Sequence, residues 1–277
     1  MTRAEGSGPA GLRQSTIEGD HVDNSGDSDP EDAQRQKMKW VWDETHRFRM
    51  RPHYSEEELD AQCQSLVFEY LKSRHGKVDF PLRTDDLKSI LGRDAQTLDL
   101  DTDLTGEAPR IEGLIEFRRG RKPAVRISAR LTRAPGLENQ FRTALAHAYG
   151  HVRFHDFLFQ TEENFSLSLF GDSPHPLPRT HRCERDSMLP LADRDWMEWQ
   201  AGFVCGALLM PKDPLILAVR RFRHERDLDH VALSDHSFDG AVLIDEIVKQ
   251  FQTSWEAARI RLLQQRVLIS NDTRSLF

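Results

Sequence analysis

The sequence predicts an α+β fold, and three observations carry that expectation. Apolar residues recur at helical spacing in several separate stretches of the chain. Two short alternating stretches, Ile111 to Phe117 and Ala124 to Ile127, lie side by side and are joined by a turn containing Gly120 and Pro123. That pair reads as a hairpin, the nucleus of a small antiparallel sheet, and it leads into a helix. At 277 residues and 32.0 kDa the chain is long enough to bury a sizeable core, with one main domain and room for a smaller second one.

Taken in order, residues 1–36 are rich in Gly, Ser, Asp and Glu, and after Met1 only Leu12, Ile17 and Val22 are sizeable apolar side chains. Such a stretch cannot bury enough surface to offset its ordering entropy, so it reads as a disordered acidic tail. Order begins near Trp40. Ser55-Glu56-Glu57-Glu58 has the form of a capping box, and Leu59, Leu66, Val67, Tyr70 and Leu71 follow at helical spacing until Gly76. Thr84 is placed to cap a shorter helix ending at Gly92. After the hairpin, Phe141, Leu145 and the intervening Ala residues make 138–151 an amphipathic helix expected to be half buried. Residues 156–194, rich in Pro, Asp and Arg, show little periodicity and read as a long loop, either bordering a cleft or solvated. A further helix precedes Pro211, which ends it.

The C-terminal region, 216–277, has its own organisation. Ile244, Ile247, Val248 and Phe251 form one helical stripe, and Thr253-Ser254-Trp255-Glu256 supplies a capping box for a second helix carrying Ala258, Leu262 and Leu263. Two helices joined by a short turn have a helix-turn-helix-like form, with Arg259, Arg261 and Arg266 on or near the second. DNA contact is possible on that pattern but not favoured. The net charge is −7, and Arg220-Arg221-Phe222-Arg223 is the concentrated basic run of this region.

Composition excludes several classes. Charged residues make up 30% of the chain and no apolar run approaches a membrane span, so no membrane partner is expected. The first residues hold no apolar signal region. Cys63, Cys183 and Cys205 are an odd, scattered set that gives no disulfide framework and fits a reducing cytoplasm.

The chemistry concentrates in His147-Ala148-Tyr149-Gly150-His151. Two His four apart stand one turn from each other on one face of a helix, a spacing that suits a single metal ion. Isolated pairs of this kind also arise on surface helices. Gly150 costs a helix about 1 kcal/mol relative to Ala, and a tight approach of its backbone to a metal or to another helix is a reason to tolerate it. In the HExxH pattern of zinc hydrolases the Glu after the first His takes a proton from the attacking water. Here that position is Ala148, and a methyl group neither accepts nor delivers a proton. The stretch therefore describes a metal site while arguing against full turnover.

A catalytic zinc site needs a third protein ligand and an open position. Glu198 is the candidate, because Ala201, Gly202, Cys205, Leu208 and Leu209 follow it at helical spacing and place it on an inward face. An exposed first-turn Glu, stabilised by the helix dipole, is the alternative. Cys183 could reach a metal, but no second Cys stands at ligand spacing, and a free thiol is the simpler reading.

The run Leu145-Ala146-His147-x-x-Gly150-His151-x-x-x-His155, followed by Glu198-x-x-Ala201 and Leu208-Leu209-Met210-Pro211, resembles the ImmA/IrrE family of zinc metallo-endopeptidases over roughly residues 55–215. The resemblance implies a zincin-like core over 37–215, Zn2+ as cofactor, and His147, His151 and Glu198 as its ligands. It makes His155 a residue of the surrounding shell. It also implies site-specific cleavage of a regulatory protein, so that the partner is a protein or peptide substrate. The main departure is Ala148, which stands where the family has its catalytic Glu, and it makes this an inactivated copy. Two other readings stay open: a non-catalytic protein holding a peptide or regulator in the same cleft, and a transcriptional regulator acting through the C-terminal helices.

Overall fold

A computed structural model of the chain describes residues 39–134, 136–160, 179–184 and 195–270. The tail expected over 1–36 lies outside them, as does most of the 156–194 segment. Strands β1 (Lys39–Trp42) and β2 (Met50–His53) pair antiparallel. The bend between them is fixed by Asp43, whose carboxylate accepts from Thr45 N at 3.0 Å and Phe48 N at 2.9 Å. Helix α1 (Glu56–His75) starts with the expected capping box. Ser55 Oγ accepts from Glu58 N, Glu58 accepts from Ser55 N, and Gly76 ends the helix at φ 72°.

Helix α2 (Thr84–Asp94) departs from expectation at both ends. Thr84 is its first helical residue rather than its cap, and the helix runs through Gly92 to Asp94, with Ala95 as its C-cap. The reason lies in tertiary contacts: the Thr84 hydroxyl donates to Glu138 and accepts from Arg142 Nη1 at 3.1 Å, tying α2 to the later His-bearing helix.

The main sheet has the order β3-β5-β4-β6, with β3 (Thr97–Thr102), β4 (Ile111–Arg118), β5 (Arg121–Ser128) and β6 (Arg179–Glu184). β4 and β5 form the expected hairpin, although Pro123 sits inside β5 rather than in the turn. β3 runs parallel to β5, so the sheet is mixed rather than purely antiparallel. β6 lies within the stretch expected to be an aperiodic loop, and it pairs antiparallel with β4.

After the short helix α3 (Ala129–Arg133), helix α4 (Glu138–His155) carries the histidines. From Phe141 to His155 every residue except Arg153 is buried, so α4 is the centre of the molecule and not a half-buried surface helix. A 3-10 turn, Asp156–Phe159, follows it. Helix α5 (Trp196–Leu209) begins at Asp195, whose carboxylate accepts from Met197 N and Glu198 N. It packs against α4 so closely that a Cβ on Gly150 would lie 2.8 Å from Ala201 Cα. The tight approach expected at Gly150 is thus an approach to another helix.

Pro211 follows Met210, the C-cap of α5, and is the N-cap of helix α6 (Lys212–Glu225), so the boundary drawn at residue 215 falls within α6. The two-residue strands β7 (Leu233–Ser234) and β8 (Leu268–Ile269) flank helices α7 (Phe238–Phe251) and α8 (Trp255–Gln264). The cap of α8 is Ser254, whose Oγ accepts from Ala257 N, and not a box begun at Thr253; Thr253 is fully buried. Two buried arginines join these helices to the rest. Arg142 on α4 donates to Gln252 O at 2.6 Å and Phe251 O at 3.3 Å. Arg261 on α8 donates to Met210 O and pairs with Asp60 on α1. Among the described residues no single helix is long and apolar enough to cross a membrane.

Candidate metal centre

The site forms where α4, α5 and β6 meet. His147 and His151 share one face of α4, as their four-residue spacing requires, with Nε2 atoms 3.1 Å apart. Glu198, in the first turn of α5, faces them: Oε2 is 3.2 Å from His147 Nε2, and Oε1 is 3.3 Å from His151 Nε2. The close contact of Gly150 with Ala201 sets this separation, because Ala201 lies one turn after Glu198 on the same helix. Of the two readings of Glu198, the inward one describes its position, with the side chain only 17% exposed.

His155 and Gln200 fix the tautomer of His151. The Gln200 amide donates to Pro52 O at 3.1 Å, which leaves its oxygen to accept from His155 Nε2 at 3.0 Å. Burial pushes His155 down to about 3, so its ring is neutral at ordinary pH and Nδ1 carries a lone pair. His151 Nδ1 lies 3.1 Å away and must supply the proton between them. That leaves the His151 Nε2 lone pair directed into the centre. Burial, with His181 alongside, holds His151 itself well below its ordinary value.

Glu198 responds in the opposite sense. Burial pushes its carboxyl up, but His151, His147 and His181 outweigh that and hold it far below the usual carboxylate range. The Glu198 carboxylate and the His151 Nε2 stand 3.3 Å apart, two donor atoms that one cation could share. Zinc bonds of about 2.0–2.2 Å in a tetrahedron place neighbouring ligand atoms about 3.3–3.6 Å apart. The spacings of 3.1, 3.2 and 3.3 Å, the two carboxylate contacts using different oxygens, are close to that range. These residues fit a metal ion.

Two further donors come from β6. His181 pairs in register with Ile115 and Cys183 with Gly113, so they stand two apart on one face of the strand. His181 Nε2 contacts Glu198 Oε1 directly, and its ring centroid lies 4.1 Å from that of His151. Donor atoms form two overlapping groups able to hold a metal ion, His147–His151–Cys183 and His151–His181–Glu198, each within 4.8 Å. Sequence reasoning missed His181 and, while noting that Cys183 could reach a metal, preferred to read it as a free thiol. The available signal was the alternation His181-x-Cys183, concealed in a segment without apolar periodicity. Ala148 is wholly buried beside the pair and supplies no polar atom.

Comparison with protein-family models and with curated proteins found no match for this chain.

Proposed function

We propose that this chain is a zinc metallo-endopeptidase scaffold, zincin-like and resembling the ImmA/IrrE family, in which Ala148 has removed the general base. The observation that carries this reading is the convergence of two imidazole nitrogens and a carboxylate, from two helices, at the spacing of zinc ligands. Zinc, when bound by His147, His151 and Glu198, supplies a Lewis acid for a scissile carbonyl. Everything else falls to the protein. The Gln200–His155–His151 chain holds one ligand in its metal-binding tautomer, and the ionised Glu198 balances the charge. Among the described residues β6 pairs on one edge only, with β4. An extended peptide added as a strand to this sheet would lie beside the centre. The substrate class is accordingly a protein, and a regulatory protein is what the family resemblance favours.

A second reading, a binding module that keeps the cleft and lacks the chemistry, is favoured by Ala148 itself. A regulator acting on DNA through α7 and α8, a helix-turn-helix-like pair, draws less support. Arg261 is buried on Asp60, and Arg259 is engaged by Asp235 and Glu256. The three buried thiols fit a cytoplasmic setting. The test is to incubate this chain and Ala148→Glu, each loaded with zinc, with proteins that co-purify with it. Both should retain the same partner, and Ala148→Glu, where the metal keeps an open position, should cut it at least about a hundredfold faster, in a chelator-sensitive way. Equal cleavage by the two chains would show that position 148 is not the missing base.

A further inference from the structure

We propose that His181 is a fourth protein ligand of this centre and closes it. The inference rests on the metal-binding reading above and adds the coordination number. A zinc site that does chemistry has three protein ligands and an open position, whereas a structural site has four. The number of donors therefore decides what the centre can do.

Three observations favour His181 as the fourth. Its position is set by the sheet rather than by a loop, since β6 pairs with β4 from Ile111↔Glu184 to Phe117↔Arg179 with His181 opposite Ile115. Its Nε2 is the atom that reaches Glu198, and it meets Oε1, the same oxygen that faces His151 Nε2. Three imidazole Nε2 atoms thus converge on one carboxylate, and His151, His181 and Glu198 offer donor atoms within 4.8 Å of one another, a group able to hold a shared cation. The consequence is structural as well as chemical. A metal held by α4, α5 and β6 together would pin the edge strand against the two helices and contribute to folding. Any gain in cleavage from Ala148→Glu should then be larger in a His181→Ala background.

The test uses the full chain loaded with cobalt(II), whose visible spectrum reports coordination, and azide as a probe of an open position. The parent should bind about one cobalt, with a four-coordinate spectrum that azide leaves unchanged. His181→Ala, and His181→Gln as a second variant should Ala disturb the strand, should still bind cobalt, about tenfold or more weakly, and respond to azide. Circular dichroism confirms that each variant is folded. A parent whose spectrum responds to azide as the variants do would overturn the His181 assignment and leave the metal centre standing. A sulfur-to-cobalt charge-transfer band, lost in Cys183→Ser, would overturn it in favour of Cys183. Absence of cobalt from the folded parent would overturn both the assignment and the metal-binding reading.

Discussion

Gly150→Ala tests how the helix contact builds the centre. In an exposed helix this change stabilises by about 1 kcal/mol. Here the new methyl carbon would lie 2.8 Å from Ala201 Cα and 2.9 Å from Ala201 O, both backbone atoms that no rotamer change can move aside. To restore ordinary contact, at 3.4 Å or more, α5 must retreat from α4 by about 0.6 Å. Overpacking of this kind costs about 1–3 kcal/mol, so the net loss of stability should be about 0–2 kcal/mol. The larger effect falls on the metal. Glu198 rides on α5 and the two histidines on α4, and ligand positions tolerate only about ±0.2 Å. Zinc affinity should therefore fall by about 10–100-fold, while helix content is kept. Competition with a fluorescent zinc chelator measures the affinity, and urea denaturation measures the stability. A Gly150→Ala chain that binds zinc as tightly as the parent would refute the argument that this approach sets the ligand spacing.

Arg142→Met should lower stability by about 1–3 kcal/mol for each carbonyl it orphans, Phe251 O and Gln252 O, read from urea midpoints; a loss below about 0.5 kcal/mol would mean water replaces it. Burial pushes the Cys63 thiol up to about 12 and those of Cys183 and Cys205 well above their ordinary value, so the folded chain should show no thiol labelling at mildly alkaline pH. All three should react in denaturant, and mass spectrometry counts them. Burial pushes Asp43 up, but hydrogen bonds from Thr45, Phe48 and Trp196 outweigh it and hold its carboxyl below the ordinary value. Stability from ionised Asp43 is thus present above the unfolded pKa of about 4 and lost as pH falls through the lower folded value. Asp43→Asn should be less stable than the parent at neutral pH, by a margin that shrinks in acid; a margin unchanged by pH would contradict this assignment.

Local signals in the sequence account for much of the fold. The Ser55–Glu58 box, the Gly76 stop, the hairpin and the Pro211 break each rest on interactions within a few residues, and each stands where expected. The α+β class was legible for the same reason. What was not legible depended on partners distant in sequence. Thr84 leaves its capping role to bond Glu138 and Arg142, more than fifty residues on. Thr253 is buried, so the cap of α8 moves to Ser254. β3 alternates as Thr-Leu-Asp-Leu-Asp-Thr, but its exposed acids hide the strand until β5 supplies a parallel partner. At the site, His147, His151 and Glu198 were readable because helical spacing alone fixes their faces, and the structure brings the three together. His155 lies beside them, bonded to His151 and Gln200. His181 was not readable. It enters only because β6 pairs with β4, a contact across more than sixty residues for which the local sequence carries no apolar pattern.

The central claim is that His147, His151 and Glu198 hold a metal ion, and zinc stoichiometry tests it most directly. Native mass spectrometry of the chain supplied with zinc at neutral pH should show about one tightly held ion per chain. His147→Ala and His151→Ala should each abolish it, and Glu198→Gln should weaken it while leaving the fold intact. A folded parent chain that carries no zinc under these conditions, or that keeps it undiminished in both His variants, would contradict the account.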